Sequence, residues 1–145
     1  ERGRAAIQPT YTGWRYTYAP ADSAEQFEVA TLAYPLYLAW HATLTFHDRF
    51  APIADRYARQ VEKARELWQQ LRSLPRVTCL LDTPPEAGLV AFTIADRDPQ
   101  TIESALESQR IFIRSMPEPL CLRASVHYFT TSDEIDRLVE AIASV

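Results

Sequence analysis

Between Ile53 and Leu71 the apolar residues Ile53, Tyr57, Val61, Ala64, Trp68 and Leu71 recur at three- and four-residue spacing, while Arg56, Arg59, Lys63 and Glu66 fall on other faces. Such a stretch is a helix with one side that must be covered. Pro75 ends it, and the pattern then changes. VTCLLD at 77–82 and LVAFTIA at 89–95 are β-rich runs, parted by TPPEAG, whose prolines and glycine mark a loop. A one-sided helix next to β-rich runs is satisfied by lying on a sheet, and that pairing limits the fold more than any average over the composition.

The remaining segments extend the same alternation. Residues 1–26, with Pro9, Gly13 and Pro20 among Thr and Tyr, read as an extended arm. From Pro35 to about Phe46 the chain is apolar nearly all round, which predicts a buried helix with Pro35 in its first turn. Asp98 caps a helix that begins at Pro99 and reaches about Arg110, with Ile102 and Leu106 inward. IFIR at 111–114 and residues 120–128 are strands separated by the loop SMPEP. Thr131 and Glu134 have the spacing of a capping box, and Ile135, Leu138, Val139 and Ile142 form one face of a last helix. The expected fold is α+β: a largely antiparallel sheet of about four strands covered on one face by helices, preceded by the arm and the buried helix. Residues 1–34 are expected to be arm and linker, and 35–145 the domain proper.

With 15 basic residues scattered among 19 acidic ones and a net charge of −4, the chain has no basic stripe on which to release nucleic-acid counterions. No run reaches the ~18 uncharged apolar residues that a membrane helix needs. Neither nucleic acid nor a membrane is expected as a partner. Cys79 and Cys121 lie inside apolar runs, without the density of a disulfide scaffold or the spacing of a zinc site, which suits reduced thiols in the cytoplasm. His41 and His47 are six apart on one helix, so they share no face for a metal. The sequence opens on Glu1, and its single methionine is Met116, so a piece of a longer chain is expected.

Arg123 stands out. In CLRASVHYFTT at 121–131, Leu122, Ala124, Val126 and Tyr128 share one strand face, and Cys121, Arg123, Ser125 and His127 the other. Two readings of the guanidinium stand side by side. It is solvated or paired with Glu118, Asp133 or Glu134; or its fork of donors grips a carboxylate bidentately, a geometry lysine cannot imitate. Arg114 ends the preceding run, so pairing of the two strands would bring both guanidiniums to one anion.

In order along the chain, PTYTGWR at 9–15, FEVATLAYP at 27–35, EAGLVAFTI at 86–94, RIFIRS at 110–115 and CLRASVHYFTTSDEIDRLVEAI at 121–142 resemble the C-terminal part of class V aminotransferase-like enzymes. These are pyridoxal phosphate (PLP) proteins of fold type I, among them cysteine desulfurases, cysteine/cystine C-S lyases and isopenicillin N epimerase-like proteins. The resemblance implies that Arg123 holds the α-carboxylate of an amino-acid substrate and that Arg114 approaches the same group. It implies that Thr31 reaches the PLP phosphate of the neighbouring subunit in a homodimer. Ala30 stands where the family has glycine, and Gln26 where it has arginine before the phenylalanine. Persulfide-forming desulfurases carry a cysteine on the loop between the two arginine strands; here that loop is SMPEP, so the pattern looks more like a lyase or epimerase-type member.

PLP chemistry needs a lysine, and Lys63, the only one present, sits among Arg59, Glu62 and Glu66 as a solvated surface cation would. The family's lysine belongs to a larger domain upstream, through which the dimer would also form. The resemblance therefore implies that this stretch supplies carboxylate binding and is inactive alone. A stand-alone amino-acid-binding domain, or a structural domain whose arginines satisfy local acids, are the other readings of the same residues. His127 and Cys121 are satisfied structural residues or contributors to the site on the sequence alone.

Overall fold

The structure, a computed structural model, describes residues 33–145. The chain divides into two units, Glu1–His47 and Asp48–Val145. The first described element is helix α1, Tyr34–Phe50. It forms where the sequence predicts a helix but is not buried: none of its residues is, and Leu36 and Leu38 are 70% and 72% exposed. An all-round apolar pattern states how much cover a helix requires, not whether the same chain provides it.

The second unit is an antiparallel sheet with helices on one face. Helix α2, Ile53–Ser73, carries Asp55 in its first turn and Arg72 in its last, each at the end whose dipole it complements. Ala64, Leu67 and Leu71 are its fully covered stripe. Strand β1, Val77–Cys79, is shorter than the run at 77–82 suggested. Two side chains of α2 take the next carbonyls: Trp68 donates Nε1–H to Leu81 O at 3.0 Å, and Arg72 donates to Asp82 O at 2.9 Å. The chain therefore leaves the sheet to run along the helix.

Strand β2, Leu89–Ile94, alternates as a half-covered strand should, with Val90, Phe92 and Ile94 buried. Gly88 precedes it because nothing larger fits: a Cβ there would lie 2.2 Å from Val126 O. Helix α3, Pro99–Ser108, is capped by Asp98, whose carboxylate accepts from Thr101 N–H at 2.8 Å. It closes with Ile111 N–H on Leu106 O and Arg110 N–H on Glu107 O, a Schellman pattern that puts Arg110 at φ 60°.

That closure displaces the next strand. Ile111 is used to end α3, so β3 is Arg114–Pro117 rather than 111–114, and it absorbs most of the anticipated SMPEP loop. Only Glu118 and Pro119, joined by a cis peptide bond, remain as the turn into β4, Leu120–Ser125. Pro117 is tolerated because β3 is an edge strand. Helix α4, Ser132–Ala143, starts with the expected capping box: Glu134 N–H donates to Thr131 Oγ1 at 3.3 Å, and Thr131 N–H to Glu134 Oε2 at 2.8 Å.

The sheet order is β1-β2-β4-β3, every pair antiparallel. Val90, Phe92, Ile94, Leu122 and Ala124 point into one core with residues of α2, α3 and α4. The three helices thus cover a single face, and the fold is the α+β arrangement expected from the sequence.

Candidate functional site

The other face of the sheet carries the arginines. β4 is an interior strand, and Arg123 lies opposite Ala91 of β2 on one side and opposite Arg114 of β3 on the other. Directly opposed residues of an antiparallel pair project from the same face with Cβ atoms about 4.5–5.5 Å apart. Ala91 leaves space beside Arg123, and Arg114 adds a second positive charge. Like charges so placed are destabilising on their own account, by a few tenths of a kcal/mol up to ~1 kcal/mol.

The acids near Arg123 in sequence do not pair with it. Among the described residues no ion pair joins Arg123 to Glu118, Asp133 or Glu134, and the Glu134 carboxylate is taken by Thr131. Arg123 is half-buried, and its Nε is buried without a hydrogen-bond partner among the described residues. A buried donor left unmade costs about 1–3 kcal/mol, so a group in this state marks a position where an acceptor is wanted. The Arg114 side chain is 78% exposed, and its Nη1 is 3.6 Å from Oε1 of Glu103 on α3. Glu103 also accepts from Ser115 N–H at 2.9 Å and from Ser115 Oγ–H. The bonds from Ser115 come first among the causes that hold the Glu103 carboxyl below the usual carboxylate range, with Arg114 adding a smaller contribution. Glu103 carries no signal in the sequence, where it is one acid beside the inward Ile102; only the packing of α3 against β3 reveals it.

The other candidates sort out as follows. Cys121 shares the face of Arg123 but is buried, paired in register with Met116, and is not available as an attacking thiol. Burial pushes the Cys79 thiol upward. β4 ends at Ser125, so the alternation that set His127 on the face of Arg123 does not extend that far; the His127 ring instead lies 4.4 and 4.3 Å, centroid to centroid, from Tyr128 and Phe129. Lys63 is not a solvated cation: it donates to Glu66 Oε2 at 2.8 Å and to Ser132 Oγ at 2.7 Å, tying α2 to the start of α4. His41 and His47 lie along α1, and among the described residues no cluster could hold a metal ion. No helix among the described residues is long and apolar enough to cross a membrane. Thr31 lies outside the described residues.

A cleft of about 290 Å³ opens elsewhere, between residues 110–113, the end of β4 and α4, floored by Leu67, Ala124 and Ile135. Neither Arg123 nor Arg114 lines it. Its floor is covered core, and its rim carries Phe112 and Phe129 together with Arg110, Thr130, Glu134 and Arg137, the last of which donates to Gln109 O.

An antiparallel four-stranded sheet with helices on one face and two opposed arginines on the other defines the class as a small α+β domain. The family model for Aminotransferase class-V matches residues 6–138, and the chain belongs to that family. Among solved structures it is similar, at 38% identity and a TM-score of 0.85, to a mutant of C-DES with glycine covalently linked to the PLP cofactor; the match covers 96% of this chain and 38% of that one. It is equally similar to the cystine C-S lyase C-DES in complex with its reaction product cysteine persulfide, at 38% identity and a TM-score of 0.84 over 96% of this chain and 39% of that one. The cysteine desulfurase CsdA of Escherichia coli shares the fold at 18% identity, with a TM-score of 0.77 over 96% of this chain and 39% of that one. The chain thus spans less than half the length of these relatives. No curated protein matches it.

Proposed function

We propose that this chain is the C-terminal portion of a homodimeric PLP-dependent enzyme that eliminates the sulfur substituent from a sulfur-containing amino acid such as cysteine or cystine, and that its task is to hold the substrate α-carboxylate. The observation that carries the reading is the register of Arg114 against Arg123, with no ion pair on Arg123 among the described residues. Two arginines at opposed positions of paired strands, one with a buried unmade donor, suit a bidentate anion better than they suit each other.

The residues present fit the substrate's carboxylate rather than the coenzyme's own anchors. The ammonium of Lys63 is committed to Glu66 and Ser132, so the lysine that would carry the coenzyme belongs to a larger domain of the intact enzyme. Thr31 is proposed to contact the coenzyme phosphate of the neighbouring subunit. Pyridoxal phosphate, when bound, supplies the electron sink that makes the bonds to an amino acid's α-carbon labile. Arg123 and Arg114 fix the carboxylate so that the α-C–H bond, and not the bond to the carboxylate, stands in the reactive direction. Such orientation is what a bidentate clamp contributes to rate.

The likeness to a cystine C-S lyase, together with the inaccessibility of Cys121, favours a lyase over a desulfurase that stores sulfur on its own thiol. Cys79 and Cys121 are both unpaired, which suits a cytoplasmic enzyme. The test is kinetic. In the intact holoenzyme, cystine should yield pyruvate, ammonia and cysteine persulfide, and Arg123→Ala should raise KM for cystine by about two orders of magnitude, the ~2–3 kcal/mol of a charge-assisted hydrogen bond pair. A KM unchanged by that substitution would remove Arg123 from the site, and formation of alanine in place of pyruvate would make the enzyme a desulfurase.

A further inference from the structure

Arg114 begins on the open face of the sheet, opposite Arg123, yet its guanidinium is found beside a residue of the helix that covers the other face. The edge position of β3 makes this possible, because a long side chain can pass around an unpaired edge. Glu103 is itself held firmly. It accepts from the backbone N–H and the hydroxyl of Ser115, whose side chain points toward the helices. Those bonds hold its carboxyl below the usual carboxylate range. Its contact with Arg114 is of another kind: at 3.6 Å it is an electrostatic attraction and not a hydrogen bond.

We propose that Glu103 is a positioning residue that acts as a resident counter-carboxylate, drawing Arg114 around the sheet edge and away from Arg123 until an incoming carboxylate competes for it. The inference rests on the reading of Arg114 and Arg123 as the carboxylate grip. An anion arriving between the two arginines exchanges one partner of Arg114 for another, so the strength of the resident contact is subtracted from substrate affinity. The resting arrangement also relieves the repulsion between the opposed guanidiniums, which gives the contact a function in the ligand-free protein. Because the pair is exposed on the arginine side, its worth is that of a surface ion pair, equivalent to about a two- to fivefold change in an equilibrium constant.

The experiment is a titration of the intact holoenzyme with glycine, which has the α-carboxylate and no sulfur, followed by the coenzyme's absorption and reported as a dissociation constant. Glu103→Gln keeps an acceptor for Ser115 and loses the charge; it should tighten glycine binding about two- to fivefold. Glu103→Asp draws the carboxylate back by one methylene and should act in the same direction, which keeps the test open if the glutamine variant fails to fold. Arg114→Ala should weaken binding, and adding Glu103→Gln to it should change nothing more, since the partner is gone. A merely structural Glu103 would instead shift the thermal unfolding midpoint with the glycine affinity unchanged or weakened in both backgrounds, and that overturns the proposal. Arg123→Ala separates this inference from the one beneath it. Unchanged glycine affinity there overturns the site reading and this inference with it; weakened affinity there, with no tightening in either Glu103 variant, overturns the role of Glu103 alone.

Discussion

Replacing Arg123 by methionine should make the ligand-free protein more stable while removing its grip on a carboxylate. The substitution keeps an unbranched stem of similar reach on β4 and deletes the charged head. Two costs disappear with that head. One is the buried Nε without a partner, which by the usual penalty for an unmade donor is about 1–3 kcal/mol. The other is what remains of the repulsion from Arg114, whose guanidinium rests beside Glu103, at most a few tenths of a kcal/mol. Against them stands the loss of whatever hydration the exposed part of the half-buried guanidinium retains, so the net gain should be about 1 kcal/mol. With a urea m-value of ~1–3 kcal/mol/M, the midpoint should rise by about 0.3–1 M, read by far-ultraviolet circular dichroism on the 145-residue chain. A midpoint that falls by a similar amount would mean that the guanidinium is satisfied within the ligand-free fold, and the inference from an unmade donor to a bound anion would be wrong.

Other consequences can be checked on the same chain. Gly88→Ala should cost at least ~2 kcal/mol in urea unfolding, because the new Cβ would meet Val126 O at 2.2 Å, and that carbonyl is backbone that cannot turn away. Arg110→Gly should stabilise by roughly 0.5–1 kcal/mol, since φ 60° at the end of α3 suits glycine better than a residue with a Cβ. Thr131→Ala should cost about 1 kcal/mol and speed amide exchange in the first turn of α4, whose capping box it breaks. The carboxyls of Glu66, Glu103 and Glu134 are all held below their ordinary value of 4.5, chiefly by hydrogen bonds from Lys63, Ser115 and Thr131 respectively. Folded values below unfolded ones give stability that is fully present above pH 4.5 and is lost as pH falls through the lower folded values. A urea midpoint that is level from pH 7 to about 5 and then declines in acid is therefore expected, and a midpoint that rises in acid would contradict these assignments.

The sequence carried α2 through its periodicity, and α3 and α4 well because both have a chemical marker at their start: Asp98 with Pro99, and Thr131 with Glu134, form the caps their spacing implied. It carried the two interior strands because LVAFTI alternates between a covered and an open face, and in LCLRA the alternation sets Leu122 and Ala124 into the core, although Cys121 on the other face is covered too. Edge strands fared worse. β1 stops early because Trp68 and Arg72 claim the carbonyls of Leu81 and Asp82, and β3 starts late because Ile111 is spent on closing α3. Both depend on partners distant in sequence, which local pattern does not encode. The same limit separated Arg123 from Glu103. An arginine inside an apolar run breaks a pattern and draws notice, whereas one acid among the polar residues of an amphipathic helix breaks none. The burial expected for α1 failed for a third reason, since composition registers a need for cover and not its source.

The account turns on what the two opposed guanidiniums hold, and a crystal structure of the intact holoenzyme with glycine bound tests that directly. The predicted result is a glycine carboxylate within about 2.7–3.2 Å of donors on both Arg123 and Arg114, with the Arg123 Nε hydrogen bond made and Arg114 withdrawn from Glu103. A carboxylate held by other residues, with Arg123 unchanged and Arg114 still beside Glu103, would contradict it.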